Sequence, residues 1–192
     1  MKKNYFVLLL VLALISGCKT TKPIATHKPD ATSSASVPDA NAKPVNFSDQ
    51  TTWILGYFNP DRLTHYPYST FYDKGFDDYQ PKTEVMNGLL DLNKNDITIK
   101  VVMGTWCPDS RREVPRFMKV LNIWQFPGSK LTFIGVDNEK KSPVGEYVNL
   151  GIVRVPTFII YKNNIEAGRI IENPTTSLEQ DIRNILTGVN NK

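Results

Sequence analysis

From residue 96 onward, apolar residues recur with the spacings of β-strands and α-helices in turn. Residues 96–103 form a run rich in β-branched side chains, which predicts a strand. The following segment, 108–123, is a predicted helix because apolar residues recur there every three or four positions. These residues would form one buried stripe: Val114, Phe117, Met118, Leu121 and Trp124.

The same two spacings continue almost to the end of the chain. They predict strands over 131–136, 157–161 and 165–171, a short helix from 142 to about 150, and a closing helix over 175–186. The order β-α-β-α-β-β-α contains two crossovers and then a hairpin. The sequence therefore predicts an α/β fold of three layers, with a central mixed sheet and helices on both faces.

The N-terminus, residues 1–17, is predicted to be a targeting segment. Two lysines precede an apolar run over 6–15, which is shorter than the roughly 20 residues of a membrane span and is typical of a signal peptide. Residues 15–18 (ISGC) resemble the bacterial lipobox, and this resemblance implies cleavage just before Cys18 and acylation of that cysteine. The alternative is an ordinary signal peptide followed by an incidental cysteine.

Three regions follow the targeting segment. Residues 18–46 consist mainly of Thr, Ser, Ala, Pro and Lys, and we predict a disordered linker because they cannot bury enough apolar surface to fold. Residues 47–95 form an aromatic-rich N-terminal extension that ends in a predicted helix over 81–92. Its aromatic side chains either pack on the sheet or form a collar that contacts a partner or a glycan. Residues 96–192 form the main domain.

Charge and cysteine content exclude several classes of site. The chain has 23 basic and 19 acidic residues, but the basic excess lies before residue 47, so residues 47–192 are neutral overall. A neutral domain lacks the basic footprint of a nucleic-acid-binding protein, and no nucleic acid is expected as a partner. Two cysteines and two histidines exclude a four-cysteine zinc site and argue against a mixed one. The sequence therefore predicts no metal and no cofactor.

One cysteine lies at the corner between the first predicted strand and the first predicted helix. There Cys107 would face the positive end of the helix dipole and free backbone N–H groups, which favour the reactive thiolate. Pro108 suits the first helical turn because its missing N–H would have no partner within the helix. We therefore expect Cys107 to be an activated, partly exposed nucleophile. The alternative is a buried structural cysteine.

Three motifs carry a resemblance to the thioredoxin-fold superfamily. They are residues 104–107 (GTWC), 113–115 (EVP) and 155–157 (VPT). Together they look most like the membrane-tethered thioredoxin-like proteins of bacterial envelopes, which function in cytochrome c maturation and related thiol–disulfide traffic. The resemblance implies a thioredoxin-like fold for residues 96–192, with Pro115 kinking the active-site helix.

Further side chains are expected around the cysteine. The resemblance implies that Val155, Pro156 and Thr157 form a loop with a cis proline, which lies beside the cysteine and pairs with the substrate backbone. Trp106 would provide an apolar platform for a peptide. Three arginines of the active-site helix either stabilise a thiolate and steer an acidic partner or form a solvated face: Arg111, Arg112 and Arg116.

Two side chains of the same helix decide which chemistry is expected. Glu113 matches a carboxylate of the envelope group, which implies a proton acceptor or donor near the sulfur. The alternative is a surface Glu113 in an ion pair with Arg116. Ser110 replaces the second cysteine of the family, so the motif is C-x-x-S and a resolving thiol is missing. Ser110 would still be able to donate a hydrogen bond toward the Cys107 sulfur.

A site with one thiol leaves monothiol chemistry. The expected function is thiol–disulfide exchange, as an oxidoreductase or isomerase, with cysteine-containing envelope proteins or small thiols as partners. Two alternatives stay open, a non-catalytic protein-binding module and a monothiol redox sensor. The sequence also leaves open whether the protein is an enzyme that turns over. Acylated Cys18 would anchor the protein to a lipid membrane of the bacterial cell envelope. Lys19, in place of Asp, favours the outer membrane facing the periplasm over the inner membrane.

Overall fold

A computed structural model of the protein describes residues 44–189, which contain five strands and four α-helices. In chain order these are β1 (Gly56–Phe58), α1 (Ser69–Asp78), α2 (Thr83–Leu90), β2 (Ile97–Met103), α3 (Pro108–Trp124), β3 (Leu131–Gly135), β4 (Thr157–Lys162), β5 (Ile165–Ile171) and α4 (Leu178–Thr187). The described residues also contain short 3-10 helices at Gln50–Thr52, Pro60–Thr64, Gly128–Lys130 and Gly145–Leu150. The predicted targeting segment, Cys18 and most of the predicted linker lie outside the described residues.

The strands form one mixed sheet in the order β1-β3-β2-β4-β5. β2 and β3 are parallel, and the other neighbouring pairs are antiparallel. Asn163 and Asn164, with φ of 52° and 62°, form the two-residue turn between β4 and β5. Such turns need positive φ because their backbone twist then matches that of the two strands they join. The predicted α/β fold with a central mixed sheet is confirmed.

The side chains of the sheet divide between two cores. Alternate residues of β2, such as Ile99 and Val101, belong to a large core that also contains apolar side chains from all four α-helices. Val102 points the other way and belongs to a smaller core that contains Tyr147 and Leu150. The α-helices thus cover one face of the sheet, whereas the 3-10 helix Gly145–Leu150 packs against the other face.

Two predicted helices differ in form or in length from the observed ones. The short helix expected over 142–150 is the 3-10 helix Gly145–Leu150, because a six-residue segment is too short to gain many α-helical hydrogen bonds. The closing helix begins at Leu178 rather than at residue 175. Ser177 caps it by accepting a hydrogen bond from the Gln180 backbone N–H, which places the N-terminus there.

The N-terminal extension is part of the same fold. Its strand β1 pairs antiparallel with β3 at the edge of the sheet. Three residues that begin with Gly56 show no periodicity, so the sequence predicts no strand there. Its helix α2 is shorter than the predicted 81–92. Five aromatic side chains of the extension pack against the large core, as one of the two interpretations predicts: Phe47, Phe58, Phe71, Phe76 and Tyr79.

A buried carboxylate joins the extension to α4. Glu179 accepts hydrogen bonds from the Tyr79 hydroxyl at 2.7 Å and from the Lys82 backbone N–H at 3.0 Å. Burial by itself would raise the pKa of Glu179, but these hydrogen bonds outweigh burial and lower the pKa below its ordinary value. Burial and the hydrogen bond to the carboxylate raise the pKa of Tyr79.

We expect Glu179→Gln to lower the free energy of unfolding by about 1–2 kcal/mol at neutral pH, because it weakens two hydrogen bonds to a charged acceptor. A carboxylate with a lowered folded pKa contributes stability above its unfolded pKa, about 4.3, and loses it as the pH falls through the folded value. The difference between wild type and variant should therefore shrink below about pH 4. Urea unfolding at a series of pH values measures it, with exposed Glu139→Gln as control. A difference in the free energy of unfolding that does not change with pH would contradict the lowered pKa of Glu179.

Candidate active site around a single cysteine

Cys107 is the N-cap residue of α3, where the chain leaves the sheet after β2. Its thiol donates a hydrogen bond to the Val155 carbonyl oxygen, with an Sγ–O distance of 3.2 Å. The peptide bond between Val155 and Pro156 is cis, as the sequence predicted. Two motifs that are 48 residues apart in sequence are therefore brought together at one sulfur atom.

Cys107 is more buried than the partly exposed position expected from the sequence. Only 7% of the residue is exposed, and it packs in the smaller core with Val102, Ile134 and Val155. The expectation is wrong because the residue before the cis proline lies directly against the sulfur, a contact that spacing along the chain does not show. The hydrogen bond to Val155 requires the protonated thiol, because a thiolate has no hydrogen to donate.

The ring of Trp106 lies beside the same core and is held by a hydrogen bond. Its indole Nε1–H donates to the Val136 carbonyl oxygen at 3.0 Å. Gly104 makes this position of the ring accessible, because a Cβ there would lie 2.5 Å from Trp106 Cε2. The ring of Trp53, from the extension, lies 6.4 Å from the Trp106 ring between centroids. The two tryptophan rings therefore lie close together, with Trp106 packed against the core that contains the cysteine.

Ser110 and Thr157 are both buried and hold the backbone of the two loops. Ser110 Oγ accepts a hydrogen bond from the Gly104 backbone N–H at 3.3 Å. The Thr157 hydroxyl donates to the Arg154 carbonyl oxygen at 2.6 Å, which closes the turn around the cis proline. The sequence predicted both positions at the site. Donation by the Ser110 hydroxyl toward sulfur stays a prediction.

Glu113 is buried on α3 and holds two arginines. Its Oε1 accepts from Arg112 Nε at 2.6 Å and from Arg116 Nη1 at 3.1 Å. The predicted ion pair with Arg116 is therefore present, but the carboxylate is only 3% exposed and does not lie on the surface. A role for Glu113 in moving a proton to or from the sulfur stays a prediction.

Arg111 has a role that its sequence position does not reveal. Its Nη1 donates to the carbonyl oxygens of Thr105 at 3.0 Å and Trp106 at 2.7 Å, the two residues before the cysteine. Burial lowers the pKa of Arg111, and the negative charge of a Cys107 thiolate acts in the opposite direction. Arg111 thus clamps the active-site loop and places a positive charge near the sulfur. The sequence indicated only that Arg111 lies on the active-site helix, with two other arginines.

The extension also contributes to the active-site loop. The Thr105 hydroxyl donates to the Thr52 carbonyl oxygen at 3.0 Å and accepts from the Ile54 backbone N–H at 3.3 Å. From the sequence, no contact between residues 47–95 and the active-site loop is predicted. No local pattern signals these contacts, because they join residues about 50 positions apart.

Comparison with known proteins identifies the family to which the chain belongs. No protein-family model matches the chain. Thioredoxin-5 of Dictyostelium discoideum is 32% identical over 98 residues, which span 50% of this chain and 88% of that protein. The chain belongs to the thioredoxin family. This membership supports a redox role for the protein.

Two solved structures are similar to this chain. A protein of unknown function from Pseudomonas aeruginosa is 12% identical with a TM-score of 0.45, over 64% of this chain and 82% of that chain. A mutant thioredoxin from Halobacterium salinarum is 14% identical with a TM-score of 0.34, over 57% of this chain and 86% of that chain.

The part of the chain that the structure describes contains one free thiol, that of Cys107. Within residues 44–189, no group of His, Cys, Asp and Glu side chains is arranged to hold a metal ion. No helix in the same range is both long enough and apolar enough to cross a membrane. Any disulfide chemistry at the described site therefore needs its second sulfur from elsewhere.

Proposed function

We propose that this protein carries out thiol–disulfide exchange with Cys107 as the reactive thiol. The observation that carries the proposal is the position of the Cys107 sulfur, at the N-cap of α3 and 3.2 Å from the carbonyl oxygen that precedes the cis proline. A helix N-terminus favours negative charge, and the Arg111 guanidinium nearby adds to this effect. Both favour the thiolate, which is the nucleophile in disulfide exchange.

The proposed reaction balances in two exchange steps. The Cys107 thiol first loses its proton to solvent, and the thiolate attacks one sulfur of a partner's disulfide. The new S–S bond forms as the partner's S–S bond breaks, and the released thiolate takes up a proton. Because Ser110 stands at the position of a resolving cysteine, a second thiolate must come from the partner or from a small thiol. If it comes from the partner, the net result is isomerisation of the partner's disulfides without net oxidation.

The hydrogen bond to Val155 couples this chemistry to substrate binding. In the resting site, the carbonyl oxygen of Val155 accepts from the thiol. After Cys107 enters a mixed disulfide, its sulfur has no hydrogen to donate, so that carbonyl oxygen becomes available to a backbone N–H of the substrate. We propose that the two-tryptophan surface of Trp53 and Trp106 then contacts apolar side chains next to the substrate cysteine.

The proposal includes a location. The lipobox-like residues 15–18 support cleavage before Cys18, acylation of that cysteine, and anchoring in a membrane of the bacterial envelope. Cysteine-containing envelope proteins and small thiols are then the proposed partners. The lysine after Cys18 supports the outer membrane, facing the periplasm.

The reaction with glutathione disulfide tests this function on the full chain. Cys18→Ser leaves Cys107 as the only thiol, and we expect this variant to form a mixed disulfide at Cys107, detected by intact mass. The rate should be at least about tenfold higher in the folded protein than in urea, because only the folded site favours the thiolate. The double variant Cys18→Ser, Cys107→Ser is the matched control and should form no adduct.

Equal or slower reaction of the folded protein would show that the fold does not activate Cys107 and would overturn the exchange function. The same Cys18→Ser variant tests the anchor when it is expressed in a bacterial host. It should leave the membrane fraction, in which the unchanged chain is recovered. Retention of the variant on the membrane would overturn anchoring through that residue.

One observation favours a second function, that of a non-catalytic binding module. Cys107 is only 7% exposed, and its thiol is already hydrogen-bonded to Val155. A binding module would keep its affinity for a partner peptide in the Cys107→Ser variant. An exchange protein would instead lose the covalent partner adduct in that variant.

A further inference from the structure

A cavity of about 400 Å³ lies between α1 of the extension and α3 of the thioredoxin core. It lies within the size range of small-molecule sites. Cys107 does not line it, and Arg111 is the one residue of its wall that the proposed exchange reaction uses. Its wall contains four basic side chains and two aromatic rings: Lys74, Arg111, Arg112, Arg116, Phe71 and Tyr79.

The charges around the cavity are only partly neutralised. Arg112 pairs with Asp109 and Glu113, and Arg116 shares the Glu113 carboxylate. Lys74 pairs with Asp78, which also lines the cavity. Arg111 forms no ion pair with any carboxylate among residues 44–189, although its guanidinium is partly buried. Four basic side chains and three carboxylates leave a net positive charge around the cavity. The unpaired cation, Arg111, lies in the cavity wall.

The arginine donors are available and held in place. Both bonds from Arg111 to backbone carbonyls use Nη1, so Nε and Nη2 make no hydrogen bond within the described part of the chain. The Arg111 guanidinium lies over the ring of Phe47 at 4.9 Å from its centroid, and that of Arg116 lies over Tyr79 at 5.8 Å. A guanidinium fixed in this way loses little conformational entropy when it binds a carboxylate or phosphate.

We propose that this cavity binds a small organic oxyanion, with a carboxylate or phosphate head group on Arg111 and an apolar body against Phe71 and Tyr79. Burial of an unpaired guanidinium is costly, and an oxyanion would restore its partner. The two aromatic residues provide apolar surface for the body of an organic anion, which an inorganic ion does not have. Cys107 does not line the cavity, so binding there does not need the Cys107 thiol, although Arg111 belongs to both sites.

Calorimetric titration of the full chain at low ionic strength tests the site, with phenyl phosphate, benzoate and inorganic phosphate as probes. We expect saturable binding of at least one aryl anion, tighter than that of inorganic phosphate. Arg111→Gln should weaken this binding by at least about tenfold, and Arg116→Gln by about threefold or more. Lys141→Gln removes an equal charge from an exposed loop and should change the affinity less than about twofold.

Each result bears directly on the proposal. Tighter binding of phenyl phosphate assigns a phosphate head group, and tighter binding of benzoate assigns a carboxylate. No saturable binding of either probe would overturn the site, and so would equal losses in the arginine variants and in Lys141→Gln. If circular dichroism shows that Arg111→Gln is unfolded, Arg116→Gln decides the question. Binding should be unchanged in Cys107→Ser, so a failure of the exchange reaction and a failure of this site are separate results.

Discussion

Gly135→Ala is expected to destabilise the protein by at least about 3 kcal/mol, well above a typical surface substitution. Gly135 ends β3 and faces Gly56 of β1 across the antiparallel pair. A Cβ at this position would lie 2.6 Å from the carbonyl carbon of Ile54, and closer still to its oxygen. A backbone group cannot rotate away as a side chain does, so the extension would have to leave the sheet.

Urea unfolding followed by circular dichroism measures this effect, and Gly128→Ala is its matched control. A Cβ at Gly128 would meet nothing within 4 Å, and the control should change the free energy of unfolding by less than about 1 kcal/mol. Similar results for the two alanine variants would show that β1 does not pack on β3 as the structure has it. Because Ile54 also donates to Thr105, Gly135→Ala should slow the exchange reaction as well.

Phe117→Ala is expected to lower the free energy of unfolding by about 3–5 kcal/mol. Phe117 is fully buried on α3, and its ring stacks on Phe158 of β4 with centroids 4.1 Å apart. Alanine would leave a cavity between the active-site helix and the centre of the sheet, where the surrounding side chains cannot collapse fully.

Two comparison variants separate the loss of buried volume at Phe117 from the effect of an ordinary surface substitution. Phe117→Leu keeps most of the apolar volume and should cost clearly less than the alanine variant. Val148→Ala removes apolar atoms from a side chain that is 81% exposed and should cost less than about 0.5 kcal/mol. A loss below about 1 kcal/mol in Phe117→Ala would mean that α3 does not pack on the sheet through this ring.

The elements after residue 96 were predictable because their patterns are local. β5 has the bounds that the sequence predicts, and α3 ends one residue later. A buried stripe or a β-branched run signals such elements within a single stretch of chain. β1 carried no comparable signal, because a three-residue strand is stabilised by its partner β3 rather than by its own residues. The short helix before the cis proline was predicted in place but not in type.

The chemistry of the candidate site was predictable in part. The corner between a predicted strand and a predicted helix identified Cys107, and the resemblance to the thioredoxin fold implied the loop at Val155 beside it. The structure places both in one core, with Trp106 packed against it. The burial of the thiol was not predictable, because it depends on how closely the cis-proline loop approaches the sulfur. The clamp formed by Arg111 was not predictable either, since three neighbouring arginines look alike in a sequence.

The sequence by itself determined the order of the main strands and helices, the single thiol at a helix N-terminus and the neutral charge of the domain. These properties follow from residue identity and short-range periodicity. Only the tertiary structure decided that Cys107 is a buried thiol with a hydrogen bond to the Val155 carbonyl oxygen, that Arg111 is a partly buried cation with no carboxylate partner among residues 44–189, and that the extension completes the sheet. Each of these depends on atoms that are distant in the chain and adjacent in space, and a one-dimensional pattern does not record their contacts.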